Sequence, residues 1–467
     1  MTAPPLVSRL SARRVDSAAG ASHIEPPLAL VVAILLGHAV YGLLVTRSAA
    51  LATFHASVTF AIALWIATTS SMRQVAIACA YIAGSQILWR IGKAQIPWES
   101  AKYGICLLAV ITLSRIRRPR WDWPAMAYLA LLVPSTLLSF FEEPFEYARQ
   151  QVSFNLSGPI ALALTTWFAA YLRPTRADVQ RLFLAIIAPA VSLGAVALAG
   201  AVKLDELSFS DASNFQTSAG YGPNQVSSAL GLGALLAVLL ALLVERGARE
   251  RVVFGVIALV LGAQSALTFS RGGVFSALGA LILASPFLLK GSRSRVAATV
   301  VALLLVASVE VVVLPRLNAV TGGALSTRFR DPNPTGRVEL VRQELQTFSE
   351  NPVFGVGPAA LDDREGGGTV SVHTEFSRLL AQHGTFGLFA LLTMLLLAWR
   401  AVASQEGASG RAIAIALLAW SALTMTHAAM RLALVPFAYG IAAAGFFTAR
   451  ARTKPNETRP RPRLTTR

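Results

Sequence analysis

Long apolar runs, separated by short polar segments, fill most of this chain. The fourteen runs lie near residues 28–45, 50–70, 75–90, 101–114, 124–141, 152–171, 181–201, 224–244, 252–269, 272–289, 296–314, 384–399, 412–428 and 433–449. Runs of this length, rich in Leu, Ala and Val and without strand-like alternation, predict helices that cross a bilayer. The pattern indicates an all-α polytopic membrane protein with about 12–14 transmembrane helices, twelve if some runs are re-entrant or half-helices.

The polar intervals divide the chain into five parts. These are a cytoplasmic N-terminal segment 1–27, transmembrane helices over 28–314, a periplasmic loop 315–383, transmembrane helices over 384–449 and a basic cytoplasmic tail 450–467. The stretch 1–27 has no small-residue cleavage site after an apolar core, so we expect the first run to remain as a helix.

Charge predicts the orientation of these helices. With a cytoplasmic N-terminus, the inner segments hold 26 Lys and Arg against 8 Asp and Glu, whereas the outer segments hold 15 against 16. This difference is the positive-inside bias of membrane proteins. Both termini are therefore expected in the cytoplasm, and the long polar interval is expected on the outer side.

Composition narrows the class of function. The chain is 54% hydrophobic and 14% charged, and its net charge of +17 lies in inner loops and the tail. Nucleic acid is not an expected partner, because its binding needs a clustered basic face. Cys79 and Cys106 both fall in apolar runs, which predicts neither a disulfide nor a metal site. The helix interiors are nearly free of ionisable residues, which argues against a transporter and favours a site at the outer surface.

Three outer segments carry candidate chemistry. In "SRGG", Arg271 is followed by two glycines and a predicted helix start; glycines let a ligand approach the backbone and helix N-termini favour anions, so we expect a phosphate there. The acidic segment 141–151, which includes Arg149, indicates a solvated loop. "GYGPN" indicates a turn before a helix that Asn224 caps.

The loop 315–383 contains a predicted amphipathic helix and a histidine. Val338, Val341, Leu345 and Phe348 recur at helical spacing, and we expect this stripe to pack on the membrane helices. His373 stands at or near the start of the next helical pattern. The macrodipole there disfavours a second proton, so a neutral imidazole able to accept a proton is expected. A capping or packing role for the histidine stays open.

Two segments together resemble a known family signature. "GRVELVRQELQTFSENPVFGVGPAAL" followed by "HTEFSRLLAQHGTFGL" resembles the O-antigen ligase and polymerase superfamily of bacterial membrane proteins. The shared pattern is a Gly-Arg-led outer helix, Asn-Pro with a Gly-x-Gly turn, and a His-led helix ending in glycine. "SRGG" and "GPN" also stand where the family has them, and the resemblance covers roughly residues 215–400.

The resemblance implies a glycosyltransferase of the bacterial inner membrane whose site faces the periplasm. It implies inverting transfer of a glycan from undecaprenyl diphosphate within the membrane lipids, with neither metal nor cofactor. By matching position, His373 would activate the acceptor hydroxyl and Arg271 would bind the diphosphate. Arg337 and Arg342 are weaker candidates for donor binding or loop orientation.

This chain departs from the family at one position. Many relatives carry another arginine shortly before the Pro-Asn turn, where this chain has Gln216 and no arginine. Either one cation suffices, or another outer arginine supplies the second cation, with Arg149 as the first candidate.

The identity of the acceptor determines which reaction the protein catalyses, and the sequence is compatible with several acceptors. Lipid A-core would make the protein an O-antigen ligase, which the overall resemblance favours. A second carrier-linked repeat would make it an O-antigen or capsule polymerase, and a serine or threonine would make it a protein O-oligosaccharyltransferase. A lipid-linked-sugar transporter is the alternative from another class. The sugars and the oligomeric state stay open as well.

Overall fold

The fold is a bundle of helices. The computed structural model describes residues 26–202, 214–243, 247–290, 337–360 and 374–447, with a few isolated positions between them. These residues form fourteen α-helices and a short 3₁₀ turn, and no strand occurs among them. The prediction of an all-α polytopic membrane protein is confirmed.

The helices follow one another through mostly short connections. In chain order they are α1 (Leu28–Val45), α2 (Ala49–Thr69), α3 (Met72–Ile91), α4 (Ser100–Ser114), α5 (Trp123–Glu142), α6 (Phe145–Ala169), α7 (Arg176–Val202), α8 (Pro223–Leu243), α9 (Ala248–Leu267), α10 (Arg271–Leu288), α11 (Arg337–Glu350), α12 (Glu375–Ala403), α13 (Ala408–Ala428) and α14 (Leu434–Ile441).

Ten of these helices are long and apolar enough to cross a bilayer. They are α1, α2, α5, α6, α7, α8, α9, α10, α12 and α13. Helix α3 carries Arg73 and Arg90 near its two ends, and α4 has only 15 residues. The predicted number of 12–14 also included the run 296–314, nearly all of which lies outside the described residues.

The last apolar run, 433–449, does not form the full span that its hydropathy predicted. Helix α14 has eight residues, all buried, and turns follow it. The side chain of Gln405 accepts from the N–H of Phe446 at 3.2 Å and donates to the carbonyl of Ala444 at 2.8 Å. The run is buried by protein on all sides, so its backbone finds partners without a complete helix.

Helix α12 is broken at Gly384, which has φ 57° and ψ −136°. The loop 351–358 supplies the backbone partners that the break removes. The N–H groups of Val356 and Gly357 donate to the carbonyls of Ala381 and Gln382, both at 3.0 Å. The N–H of Thr385 donates to the carbonyl of Pro352 at 2.8 Å. The break thus fixes the N-terminal part of α12 against this loop.

Gly357 explains part of the Gly-x-Gly pattern. Its φ is +77°, a left-handed conformation that side chains rarely adopt, and an added Cβ would collide with the hydroxyl of Ser139 on α5. Ser139 also accepts from the N–H of Ala359 at 3.2 Å. The turn is therefore held between α5 and α12, and only a residue without a side chain fits there.

Helix α11 packs on α12 through a face that differs from the predicted one. Val341 and Phe348 are partly buried, but Val338 and Leu345 are 61% and 44% exposed. Glu344 takes the central buried position, because the Ser377 hydroxyl of α12 donates to its carboxylate. A buried polar group needs a hydrogen bond, and this bond rotates the helix away from its most apolar stripe.

We expect Gly357→Ala to lower the free energy of unfolding by roughly 1–3 kcal/mol, because it forces a left-handed alanine against α5. Thermal unfolding in detergent measures this. Gly37→Ala in α1 is the matched control, since nothing lies within 4 Å of a Cβ at Gly37. Equal unfolding temperatures for the two variants would contradict the assignment of Gly357 as a packing constraint.

Candidate functional site

The ends of several helices meet at one end of the bundle. Arg90 at the end of α3 donates to the hydroxyl of Tyr221, just before α8, at 3.3 Å. Ser270, just before α10, bonds to the start of α8. Met430, just after α13, bonds to the start of α12. We call this end of the bundle the site end.

The structure joins the "GPN" and "SRGG" segments into one unit. The hydroxyl of Ser270 donates to Oδ1 of Asn224 at 2.7 Å, and the hydroxyl of Ser227 donates to the carbonyl of Ser270 at 2.9 Å. Helix α8 begins at Pro223, so Asn224 lies inside its first turn and does not cap it. Arg271 is the first residue of α10, and its backbone is thus fixed against α8.

The two glycines after Arg271 serve helix packing. A Cβ on Gly272 would lie 2.5 Å from the ring of His427 on α13, and one on Gly273 would collide with Ser227 on α8. The ring of His427 also hydrogen-bonds Ser276 at 3.2 Å. The expected role of these glycines, close approach by a ligand, does not fit, since protein atoms already occupy the space.

Helix α12 begins with a buried ion pair. Thr374 caps the helix by accepting from the N–H of Ser377 at 3.3 Å. Glu375 and Arg378 form a salt bridge, and both side chains are buried. Arg378 also donates to Asn155 of α6 at 3.0 Å and to Gln382 at 2.8 Å.

The second oxygen of Glu375 accepts from the N–H of Met430 at 3.2 Å. Asn155, which holds Arg378, donates in turn to the carbonyl of Pro358 at 2.9 Å. The ion pair therefore fixes the start of α12 to α6, to the loop after α11 and to the connection after α13.

A second buried cluster lies at the same end. Lys102 of α4 pairs with Glu99 at 2.8 Å and donates to Ser157 of α6 at 3.1 Å. Arg90 pairs with the same Glu99 at 3.5 Å and lies over the ring of Trp98, 4.2 Å from its centroid. One carboxylate thus serves two buried cations.

Sequence reasoning missed this cluster because Arg90 and Lys102 were counted as polar ends of short apolar runs. The sequence did contain a signal for this cluster, namely the side of the membrane on which each cation is expected. Cations on the outer side run against the positive-inside bias, so each one there deserves a structural or functional reason.

The predicted site residues fall into two groups. Arg149 is 61% exposed and pairs with Glu146 at 2.8 Å, while Arg342 is 75% exposed and lies 3.8 Å from Glu339. Arg337 begins α11, and its side chain lies outside the described part of the chain. His373 also lies outside the described residues, immediately before the cap of α12. Of these residues, Arg271 and the helix start that follows His373 belong to the site end.

No group of three or more His, Cys, Asp or Glu side chains that could hold a metal occurs in the described segments. A cavity lies elsewhere, where Asp122, Arg173 and Arg400 line the ends of α5, α6 and α12 that point away from the site end. Arg400 and Asp122 pair across it at 2.8 Å. This cavity touches none of the candidate residues.

We expect Glu375→Ala to destabilise the protein by about 3–5 kcal/mol, because it leaves the buried charge of Arg378 without its partner. Glu146→Ala, which breaks an exposed pair, should change stability by less than about 1 kcal/mol. Thermal unfolding in detergent compares the two. Similar effects of both substitutions would contradict the structural role given to the buried pair.

Part of this region is similar to a known protein family. The profile of the family described as O-antigen ligase matches residues 256–392. The match spans most of α9, all of α10 and α11, and the start of α12 with its break. No curated protein matches the chain. This match supports the resemblance of the chain to the O-antigen ligase superfamily.

Proposed function

We propose that this protein is an O-antigen ligase of the bacterial inner membrane. It transfers a polysaccharide from undecaprenyl diphosphate to a sugar hydroxyl of lipid A-core on the periplasmic side. The observation that carries the proposal is the match to the O-antigen ligase family at 256–392, which includes both Arg271 and His373. The contacts of α13 support it, because His427 packs on Gly272 while Met430 bonds to Glu375. The end of α13 and the residue that follows it thereby contact the starts of both α10 and α12.

The proposed reaction is an inverting displacement. The acceptor hydroxyl oxygen attacks the anomeric carbon of the donor sugar, and the bond from that carbon to the diphosphate oxygen breaks. The diphosphate leaves with the electron pair of that bond, and His373 accepts the hydroxyl proton. The guanidinium of Arg271 makes charge-assisted bonds to the diphosphate, and these strengthen as negative charge develops on the leaving group.

The remaining arginines have lesser parts in this proposal. Arg337 and Arg342 lie on α11, which packs on the start of α12, so they would orient the outer loop or contact the donor glycan. Arg149 was the sequence-based candidate for the second cation. Its side chain is 61% exposed and pairs with Glu146 at 2.8 Å.

We expect His373→Ala and Arg271→Ala each to lower the transfer rate by at least about 100-fold, which is the scale of general-base and charge-stabilising groups. The measurement is a reconstituted transfer assay with polyprenyl-diphosphate-linked glycan, with and without lipid A-core. Arg47→Ala, an exposed cation at the end of α1, is the matched control and should retain activity.

The acceptor dependence separates the candidate activities. Product that requires lipid A-core supports the ligase, whereas chain growth without core would identify a polymerase that uses the same donor. Full activity of His373→Ala would exclude the histidine as the base. Donor movement across the membrane without any new glycosidic bond would favour a transporter.

We expect Glu146→Cys to react with a membrane-impermeant maleimide in intact spheroplasts, and Arg117→Cys to react only after lysis. Both positions are exposed; Glu146 lies in the first turn of α6, and Arg117 lies in the connection between α4 and α5, at the opposite end of the bundle. The native Cys79 and Cys106 are buried, so background labelling should be low. The reverse labelling pattern would overturn the proposed periplasmic location of the site.

A further inference from the structure

A polar cavity lies at the end of the bundle opposite the site end. It is bounded by the start of α5, the end of α6 and the end of α12, and its volume is about 180 Å³. Arg173, Arg400, Asp122 and Glu406 line it. Because these three helices are long enough to cross a bilayer, their ends lie at the level of the lipid headgroups. A charged cavity at that level suits a lipid headgroup.

Two arginines of the cavity keep unused N–H groups. Arg400 donates through Nη1 to Asp122 at 2.8 Å, and its side chain is 45% exposed. Arg173 donates, also through Nη1, to the carbonyls of Ala170 at 2.9 Å and Leu172 at 2.8 Å. Nε and Nη2 of both arginines have no hydrogen-bond partner in the part of the chain that the structure describes. One nitrogen therefore holds each guanidinium in place, and the Nε–Nη2 edge remains for a bidentate bond to a phosphate.

Hydrogen bonds fix the walls of the cavity. The side chain of Gln405, after α12, donates to the carbonyl of Ala444 at 2.8 Å and accepts from the N–H of Phe446 at 3.2 Å. The side chain of Arg173 lies against Gly445, where an added Cβ would meet its Cδ at 2.7 Å. The connection after α12 and the residues after α14 are thus held together, so a ligand would bind there with little reorganisation.

Exposed tryptophans surround the cavity. Trp121 and Trp123 stand at the start of α5, and Trp399 stands near the end of α12; all three are exposed. The ring of Trp121 stacks on that of Trp167 of α6, with 4.9 Å between centroids. Trp167 also donates from Nε1 to the carbonyl of Arg120 at 2.8 Å, which holds the preceding connection against α6. Since tryptophan concentrates between lipid tails and headgroups, these rings also place the cavity at the headgroup level.

The connections around the cavity are strongly basic. Residues 115–122, 170–175 and 400–407 contain six arginines and two carboxylates. The arginines are Arg115, Arg117, Arg118, Arg120, Arg173 and Arg400, and the carboxylates are Asp122 and Glu406. This excess of positive charge favours an anionic headgroup over a zwitterionic one.

The positive-inside bias accounts for the number of these arginines but not for their arrangement. An arginine that only sets orientation needs neither a fixed side chain nor a cavity beside it. Arg249, at the start of α9, is exposed at the same end of the bundle and does not line the cavity. It therefore provides a matched comparison for Arg173 and Arg400.

We propose that this cavity binds the headgroup of an anionic phospholipid. The Nε–Nη2 edges of Arg173 and Arg400 donate to the phosphate oxygens, and the exposed carboxylate of Glu406 accepts from a hydroxyl of a glycerol headgroup. The bound lipid joins the ends of α5, α6 and α12, and so stabilises the folded protein. Only the choice of leaflet rests on the proposed orientation; the site itself does not depend on the transfer reaction.

The test is native mass spectrometry of the full-length protein in detergent, titrated with phosphatidylglycerol and, separately, with phosphatidylcholine. We expect the wild type to bind phosphatidylglycerol more tightly. Arg173→Gln should weaken phosphatidylglycerol binding about 5- to 10-fold, the scale of one cation at an anionic lipid surface, and should weaken phosphatidylcholine binding less. Arg249→Gln removes the same charge at the same end and should bind like the wild type.

Two further variants separate the cavity from surface charge. Arg400→Gln combined with Asp122→Asn removes a whole ion pair, so no buried carboxylate is left without its partner. Ser404→Trp fills the cavity, which Ser404 lines, without any change of charge. We expect each to weaken phosphatidylglycerol binding about as much as Arg173→Gln does. Thermal unfolding without added lipid confirms that each variant is folded.

The outcomes distinguish the possible sources of binding. Equal phosphatidylglycerol affinities of Arg173→Gln and Arg249→Gln overturn the site. Binding that is lost in Arg173→Gln but intact in Ser404→Trp assigns the effect to surface charge and overturns the cavity as the site. Competition by glycerol phosphate at the same concentration as the lipid identifies a soluble phosphate ester as the ligand and overturns the lipid assignment. A protein that shows the expected lipid preference but no glycan transfer supports this site and overturns the proposed function alone.

Discussion

The buried ion pair between Glu375 and Arg378 is the interaction on which the site end depends. Both side chains are shielded from solvent, so each must find its remaining partners within the protein. Arg378 takes Asn155 from α6, and Glu375 takes the N–H of Met430 after α13. Removing either partner would leave a buried charge uncompensated. This requirement fixes α12, α6 and the connection 429–433 in one arrangement, and so sets where the start of α12 lies.

The break in the same helix adds a second constraint. A helix interrupted inside an apolar bundle must give its freed backbone groups to other partners. The loop 351–358 meets that need through Val356 and Gly357, whose N–H groups bind the carbonyls just before Gly384. The Asn-Pro turn, the Gly-x-Gly turn and the glycine of the His-led helix are therefore parts of one contact. Their shared role is to hold the N-terminal end of α12 in place.

These constraints affect how the protein would bind and stabilise a lipid-linked anion in the proposed reaction. The segment that matches the ligase family contributes Arg271, Glu375 and Arg378, while α3, α4 and the connection between them contribute Arg90, Lys102 and Glu99. Positively charged groups held by buried hydrogen bonds need little reorganisation when a diphosphate departs, which is the condition for strong electrostatic stabilisation. In the proposed reaction, Arg271 would perform this role, while the base would stand at the helix start that the ion pair fixes.

The sequence by itself determined the helical membrane class, the expected orientation and the segments that carry the family signature, because hydrophobic length and charge asymmetry are local properties of the chain. It identified Arg271 from its position between two apolar runs, but it overlooked the buried cluster of Arg90, Glu99 and Lys102. It also assigned the wrong stripe of α11 to the interface and a full span to α14. Those features depend on hydrogen bonds between residues far apart in sequence, such as Ser377 with Glu344 and Gln405 with Phe446. Only the tertiary structure decides them, because burial and pairing override local hydropathy wherever a polar group finds a partner inside the bundle.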